Sequence, residues 1–133
     1  MDVSNSIENL LIYLIRSTNN YRITGAEVPQ SIHAMIDFIY DHYTESIRLD
    51  ELSDVSGYNK YYMCRLFKKY FGMSPQDYII HLRILKAKEL LRDTDISIQA
   101  ISDMVGIGDL NYFYRIYKAR TGLSPGAYRK SIK

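Results

Sequence analysis

The sequence predicts an all-α fold in which two helix-turn-helix lobes are joined by one long helix. Three observations carry this expectation. No stretch alternates apolar and polar residues with the period of two that marks a half-buried strand. Two short segments, LSDVSGY at 52–58 and ISDMVGI at 101–107, spell nearly the same letters. Between them Tyr78, Ile79, Leu82, Leu85, Ala87 and Leu90 recur at helical spacing, behind a start signal at Ser74-Pro75.

The elements follow in order. Over 7–15 the apolar positions 7, 10, 11, 14 and 15 keep helical spacing, and Asn5 with Glu8 resembles a capping box. Polar and turn-forming residues over 17–29 read as a linker. A helix over about 32–43 carries Ile32, Met35, Ile36, Ile39, Tyr40 and Tyr43 on one stripe. In the first repeat Asp50 is expected to cap a helix bearing Leu52 and Val55, Gly57 to end it, and a second helix to run from Lys60 to Tyr70 before Gly72. In Ser74-Pro75-Gln76-Asp77 a serine cap, a proline at the first helical position and an acid at the third announce the long helix. It runs to about Arg92, roughly 27 Å at about 1.5 Å per residue. The second repeat begins at Ser97, turns at Gly106, continues from Leu110 to Arg120 and closes with Gly122 and Ser124-Pro125. Ser53 and Ser102 precede the turn glycines at equal spacing, where two helices crossing steeply need a small side chain, and glycine enters a left-handed turn at the least cost.

Composition narrows the function. With 47% hydrophobic and 24% charged residues the chain is of ordinary globular type. Its longest apolar run, 10–15, is far short of the roughly 20 residues of a membrane-spanning helix. The opening MDVSNSIE has acids where a secretory signal carries bases, and Cys64 is the lone cysteine, so a reducing cytoplasm is expected. His33, His42 and His81 lack metal-ligand spacing, so no metal and no cofactor is expected. Gly106-Ile107-Gly108 lacks the preceding strand of a dinucleotide fingerprint. No catalytic constellation emerges. Cys64 beside Arg65 and Lys68 offers one small alternative, an oxidant-sensing thiol with a lowered pKa.

Charge is unevenly placed. The net charge is +2, yet residues 1–56 hold nine acids and three bases while 57–133 hold six acids and fourteen bases. The repeated half is the basic half, a pointer to nucleic acid. Within it the second helix of each repeat divides into two stripes. Met63, Leu66, Phe67 and Tyr70 form an apolar stripe opposite Tyr61, Cys64, Arg65 and Lys68. In the second copy Phe113, Ile116 and Tyr117 lie opposite Asn111, Tyr114, Arg115 and Lys118. The register shifts by one because a residue is inserted after the glycine. Tyr62 matches Tyr112, Gly72 matches Gly122, and Tyr78 matches Tyr128. Arginine can grip guanine and asparagine adenine through paired hydrogen bonds in a major groove, and aromatic side chains can meet a thymine methyl. Lys60, Lys68, Lys69 and Lys118 suit phosphates instead.

LSDVSGYNKYYMCRLFKKYFGMSPQDY followed by ISDMVGIGDLNYFYRIYKARTGLSPGAY resembles the DNA-binding domain of AraC/XylS-type bacterial transcription regulators, over about residues 30 to 131. The specific part is the second half, a glycine- and aromatic-rich helix ending in K-x-x-x-G-x-S-P-x-x-Y-R. The resemblance implies homeodomain-like packing of seven helices, with helix-turn-helix motifs at about 49–71 and 97–121 on a domain spanning 30–133. It implies base reading by Tyr61, Cys64 and Arg65 in the first helix and by Asn111, Tyr114 and Arg115 in the second. Double-stranded DNA and RNA polymerase are the implied partners, and transcription regulation the implied role, with activation and repression both left open. One departure stands out: Ile107 and Gly108 replace the family's usual phenylalanine and polar residue, which predicts a looser start to the second reading helix.

Two readings of the basic face stay open on sequence grounds, a DNA reader with an asymmetric site and a helical module that meets an acidic protein. The helix at 7–15 stays open too. It fits the tail of an upstream effector-binding or dimerising domain, a homodimer contact, or a segment docked on the body of the domain.

Overall fold

The structure, a computed structural model, describes residues 28–132. The expected helix at 7–15 and most of the linker lie outside them. Among the described residues all regular structure is helical: α1 Gln30–His42, α2 Leu49–Ser56, α3 Lys60–Phe71, α4 Pro75–Asp93, α5 Ile98–Met104, α6 Leu110–Thr121 and α7 Pro125–Ile132.

The helices fall into two compact units. The first comprises residues 28–42 and 47–78 and the second 43–46 and 79–132, so α4 begins in one and continues through the other. In the first unit Ile32, Met35, Ile36 and Ile39, recurring on one stripe of α1, are fully buried together with Leu52, Met63 and Phe67. The ring of Phe67 lies 4.7 Å from Phe71 and 5.5 Å from Tyr78, so the first turn of α4 contributes to this core. The second unit packs Ile84, Ala87 and Leu91 of α4 with Ile101, Val105, Ile107, Phe113 and Tyr117. Leu85, expected inside, is only half-buried, and Ile84 takes its place.

Two arginines hold backbone carbonyls within the second unit. Arg83 donates from Nε to the Tyr43 carbonyl at 2.6 Å and from a terminal nitrogen to the Glu45 carbonyl at 2.7 Å. Tyr43, expected at the end of α1, stands just past it. Arg129 likewise donates to the carbonyls of Leu91 at 3.2 Å and Thr94 at 3.1 Å, where α4 leaves backbone acceptors unmatched.

The start of α2 also departs from expectation. Asp50 is not its cap. The helix begins two residues earlier than an Asp50 cap would place it, at Leu49, behind Arg48, whose backbone N–H donates to the Glu51 carboxylate at 3.0 Å. The reciprocal bond that would come from a serine or asparagine is beyond an arginine side chain, which has no acceptor.

His81 on α4 is half-buried, and burial, reinforced by the nearby positive charge of Arg120, holds its imidazole below the ordinary value of 6.5. The unfolded chain therefore takes up the proton more readily. The folded state keeps its full stability above about pH 6.5 and loses some as the pH falls through that value. Urea midpoints at pH 5.5 and 7.5 check this, and His81→Gln is expected to narrow the gap between them.

Candidate nucleic-acid interface

Each turn is built around the repeated serine. The Ser53 hydroxyl donates to the Tyr58 carbonyl, and the Ser102 hydroxyl donates to the Ile107 carbonyl, five residues ahead in both copies. The sequence suggested only a small side chain at a crossing. Ser102 is buried and Ser53 half-buried, so burial is not what they share. Their common task is to tie each first helix to the chain emerging from the glycine turn. Gly57 and Gly106 both occupy the left-handed region, at φ 78° and 92°. They differ in surroundings. A Cβ on Gly57 would meet nothing within 4 Å, whereas one on Gly106 would stand 2.7 Å from the Thr44 carbonyl oxygen.

The second helices of the two repeats, α3 and α6, are framed alike. The Asn59 side chain accepts the Tyr62 N–H at 2.9 Å, and the Asp109 side chain accepts the Tyr112 N–H at 3.1 Å. These caps satisfy donors that a helix start leaves exposed. At the far ends the N–H groups of Gly72 and Gly122 each donate at 2.8 Å, to the carbonyls of Lys68 and Lys118. The looser start expected for the second helix is not found, because Asp109 caps it and Ile107 drops into the core at 5% exposure. The inserted residue is absorbed by that side chain. Neither cap was read from the sequence, although Asn59 and Asp109 precede their helices at matched places in the repeat.

The two faces separate cleanly. On α3, Met63 and Phe67 are buried while Tyr61, Arg65, Lys68 and Lys69 are exposed, with Tyr61 84% accessible. On α6, Phe113 and Tyr117 are buried while Asn111, Tyr114, Arg115 and Lys118 are exposed. The Arg115 guanidinium lies 5.6 Å from the Tyr112 ring centroid and the Lys69 ammonium 5.7 Å from that of Tyr70, both within the range of a cation–π attraction.

Two residues sit differently from expectation. Cys64 is half-buried and lines an open cavity of about 760 Å³ with Leu49, Lys60, Tyr61 and Arg65. Burial pushes its thiol upward, the reverse of what an oxidant-sensing thiolate needs. Lys60 is not a bare cation: its ammonium lies 2.6 Å from the Asp50 carboxylate. That hydrogen bond, with the charge attraction behind it, lowers the Asp50 pKa and raises that of Lys60. The pairing went unread because the partners belong to different helices. Tyr62 and Tyr112 stand exposed beside the outward stripes, and Tyr62 meets Tyr58 edge-on at 4.8 Å. Their recurrence in both copies was the signal for them. Among the described residues no cluster of His, Cys, Asp and Glu could hold a metal ion, and no helix is long and apolar enough to cross a membrane.

Comparison with known proteins agrees with this architecture. A helix-turn-helix domain family matches residues 52–131. The solved C-terminal domain of the two-component response regulator yesN from Fusobacterium nucleatum is similar at 32% identity with a TM-score of 0.71, covering 76% of this chain and 99% of that one. A transcriptional regulator from Chromobacterium violaceum, described as containing an AraC-type DNA-binding domain, is similar at 25% identity with a TM-score of 0.70, over 76% of this chain and 90% of that one. The transcriptional activator RhaS of Enterobacter sp. (strain 638) is 30% identical over 91% of this chain and 43% of its own length. The chain spans about half the length of the first curated relatives it matches, 42% and 53%. Duplicated turns, matched helix frames and these likenesses together place the chain in the AraC/XylS family of helix-turn-helix, DNA-binding transcription regulators.

Proposed function

We propose that α3 and α6 are the two reading helices, each lying in a major groove of an asymmetric duplex site. The observation that carries this is the matched outward stripe, Tyr61, Cys64 and Arg65 on one helix and Asn111, Tyr114 and Arg115 on the other. Guanidinium and amide groups at such positions can read guanine and adenine edges. Lys68, Lys69 and Lys118 neutralise phosphates and fix register. Because successive major-groove faces on one side of B-DNA lie about 34 Å apart, two unlike readers on one chain define two unlike half-sites. Engaging both bends the duplex to an extent that depends on its sequence.

Selection of bound duplexes from a random pool tests this. Recovered sequences are expected to share two short, dissimilar elements about one helical turn apart. A pool no better bound than its shuffled counterpart would favour the rival reading, a basic module for an acidic protein partner, and would end this one.

The reading extends to a protein without catalytic activity, acting in the cytoplasm on RNA polymerase as a regulator. It also places residues 7–15 at the tail of an upstream effector-binding or dimerising domain. Sedimentation with residues 1 to 20 removed checks the last point, since an unchanged mass would leave that segment no part in assembly.

A further inference from the structure

The acid held against the first reading helix has no counterpart in the second. Asp50 lies in the first turn of α2, where Glu51 beside it accepts the Arg48 N–H. Asp50 reaches across to Lys60 at the start of α3, with its carboxylate 2.6 Å from the ammonium. Both side chains are more than half exposed, so the pair stands in solvent and is not sealed in a core. Lys60 also lines the open cavity with Tyr61 and Arg65, so the pair borders the stripe that reads bases. The repeat places Gln99 and Leu110 at the matching positions of the second lobe, and neither carries charge.

We propose that Asp50 is a specificity-determining residue which withholds Lys60 from DNA phosphate. The proposal rests on the DNA-reading function above. Attraction to phosphate is blind to sequence and supplies nearly all non-specific binding. A lysine already neutralised by a carboxylate adds little to that attraction, so the first lobe holds arbitrary duplex less firmly and depends more on base contacts. The ion pair thus trades affinity for discrimination, and does so in one lobe only. In the second lobe Leu110 offers no charge at this position, so there is none to restrain.

The test uses the full chain with two probes, a duplex selected from a random pool and a shuffled duplex of the same length and composition. Asp50→Asn is close in shape and removes the charge. It is expected to bind the shuffled duplex several-fold more tightly, to gain less on the selected one, and to steepen the slope of log affinity against log salt by about 0.9, the signature of one added phosphate contact. Lys60→Met alone leaves the Asp50 carboxylate unpaired and is expected to weaken both duplexes alike, and in combination with Asp50→Asn to abolish the gain. Urea midpoints for each variant separate these effects from altered folding, because loss of a helix-start acid shifts the midpoint without changing the salt slope. An unchanged slope in Asp50→Asn, or a gain that survives Lys60→Met, overturns the proposal. So does a loss confined to one base pair, which would make Asp50 a base reader. Failure of the unaltered chain to distinguish selected from shuffled duplex would instead sink the underlying function.

Discussion

Replacing Gly106 with alanine lowers stability by about 3 kcal/mol. Two costs combine. At φ 92° an L-residue sits in the left-handed region, at roughly 1–2 kcal/mol. The new Cβ also arrives 2.7 Å from the Thr44 carbonyl oxygen and 2.9 Å from its carbonyl carbon, distances that side chains do not tolerate. Thr44 has little room to yield, because Arg83 grips the carbonyls on either side of it, those of Tyr43 and Glu45. Gly57→Ala is the control. Its φ of 78° carries the conformational cost, but nothing lies within 4 Å of the added carbon, so about 1 kcal/mol is expected. Urea denaturation of both variants measures the difference. Equal midpoints would mean that the 43–46 segment gives way freely and that the Arg83 clamp is weak.

Arg115→Ala is expected to cost about 1–3 kcal/mol of binding to the selected duplex and to flatten the preference at one base pair. The side chain is exposed on α6 beside Asn111 and Tyr114, and the Tyr112 ring 5.6 Å from its guanidinium limits its freedom before DNA arrives. Lys118→Ala, one turn further on the same helix, supplies the contrast. It should weaken every duplex alike and reduce the salt slope by about 0.9. Titrating both variants against the selected site and its single-base substitutions distinguishes the roles. A uniform loss for Arg115→Ala would reassign it to the backbone.

The fold was legible wherever one residue type can do the job. Glycine at the turns, serine before proline at the start of α4, and the buried stripes 63, 67 and 113, 117 all follow from local chemistry. Legibility ended where partners are distant in sequence. Nothing near Arg83 in the chain announces that it will hold Tyr43 and Glu45, and nothing near Asp50 names Lys60. Asp50 was misread as a cap for the same reason, since a local acid near a helix start is an ordinary cap signal. Ile107 was misread because a missing family phenylalanine looked like a gap, while an isoleucine there still reaches the core. For the outward stripes, sequence periodicity located the exposed face but not the half-burial of Cys64.

α3 and α6 each contain 12 residues, enter through an Asn or Asp side chain bonded to the third helical N–H, and leave through a glycine bonded to the lysine carbonyl four residues back. Equivalent joints at both ends make the two segments candidates for exchange. Transplanting the outward residues of one into the other leaves every joint intact, so under the proposed reading the two half-site preferences are open to exchange without redesigning the scaffold.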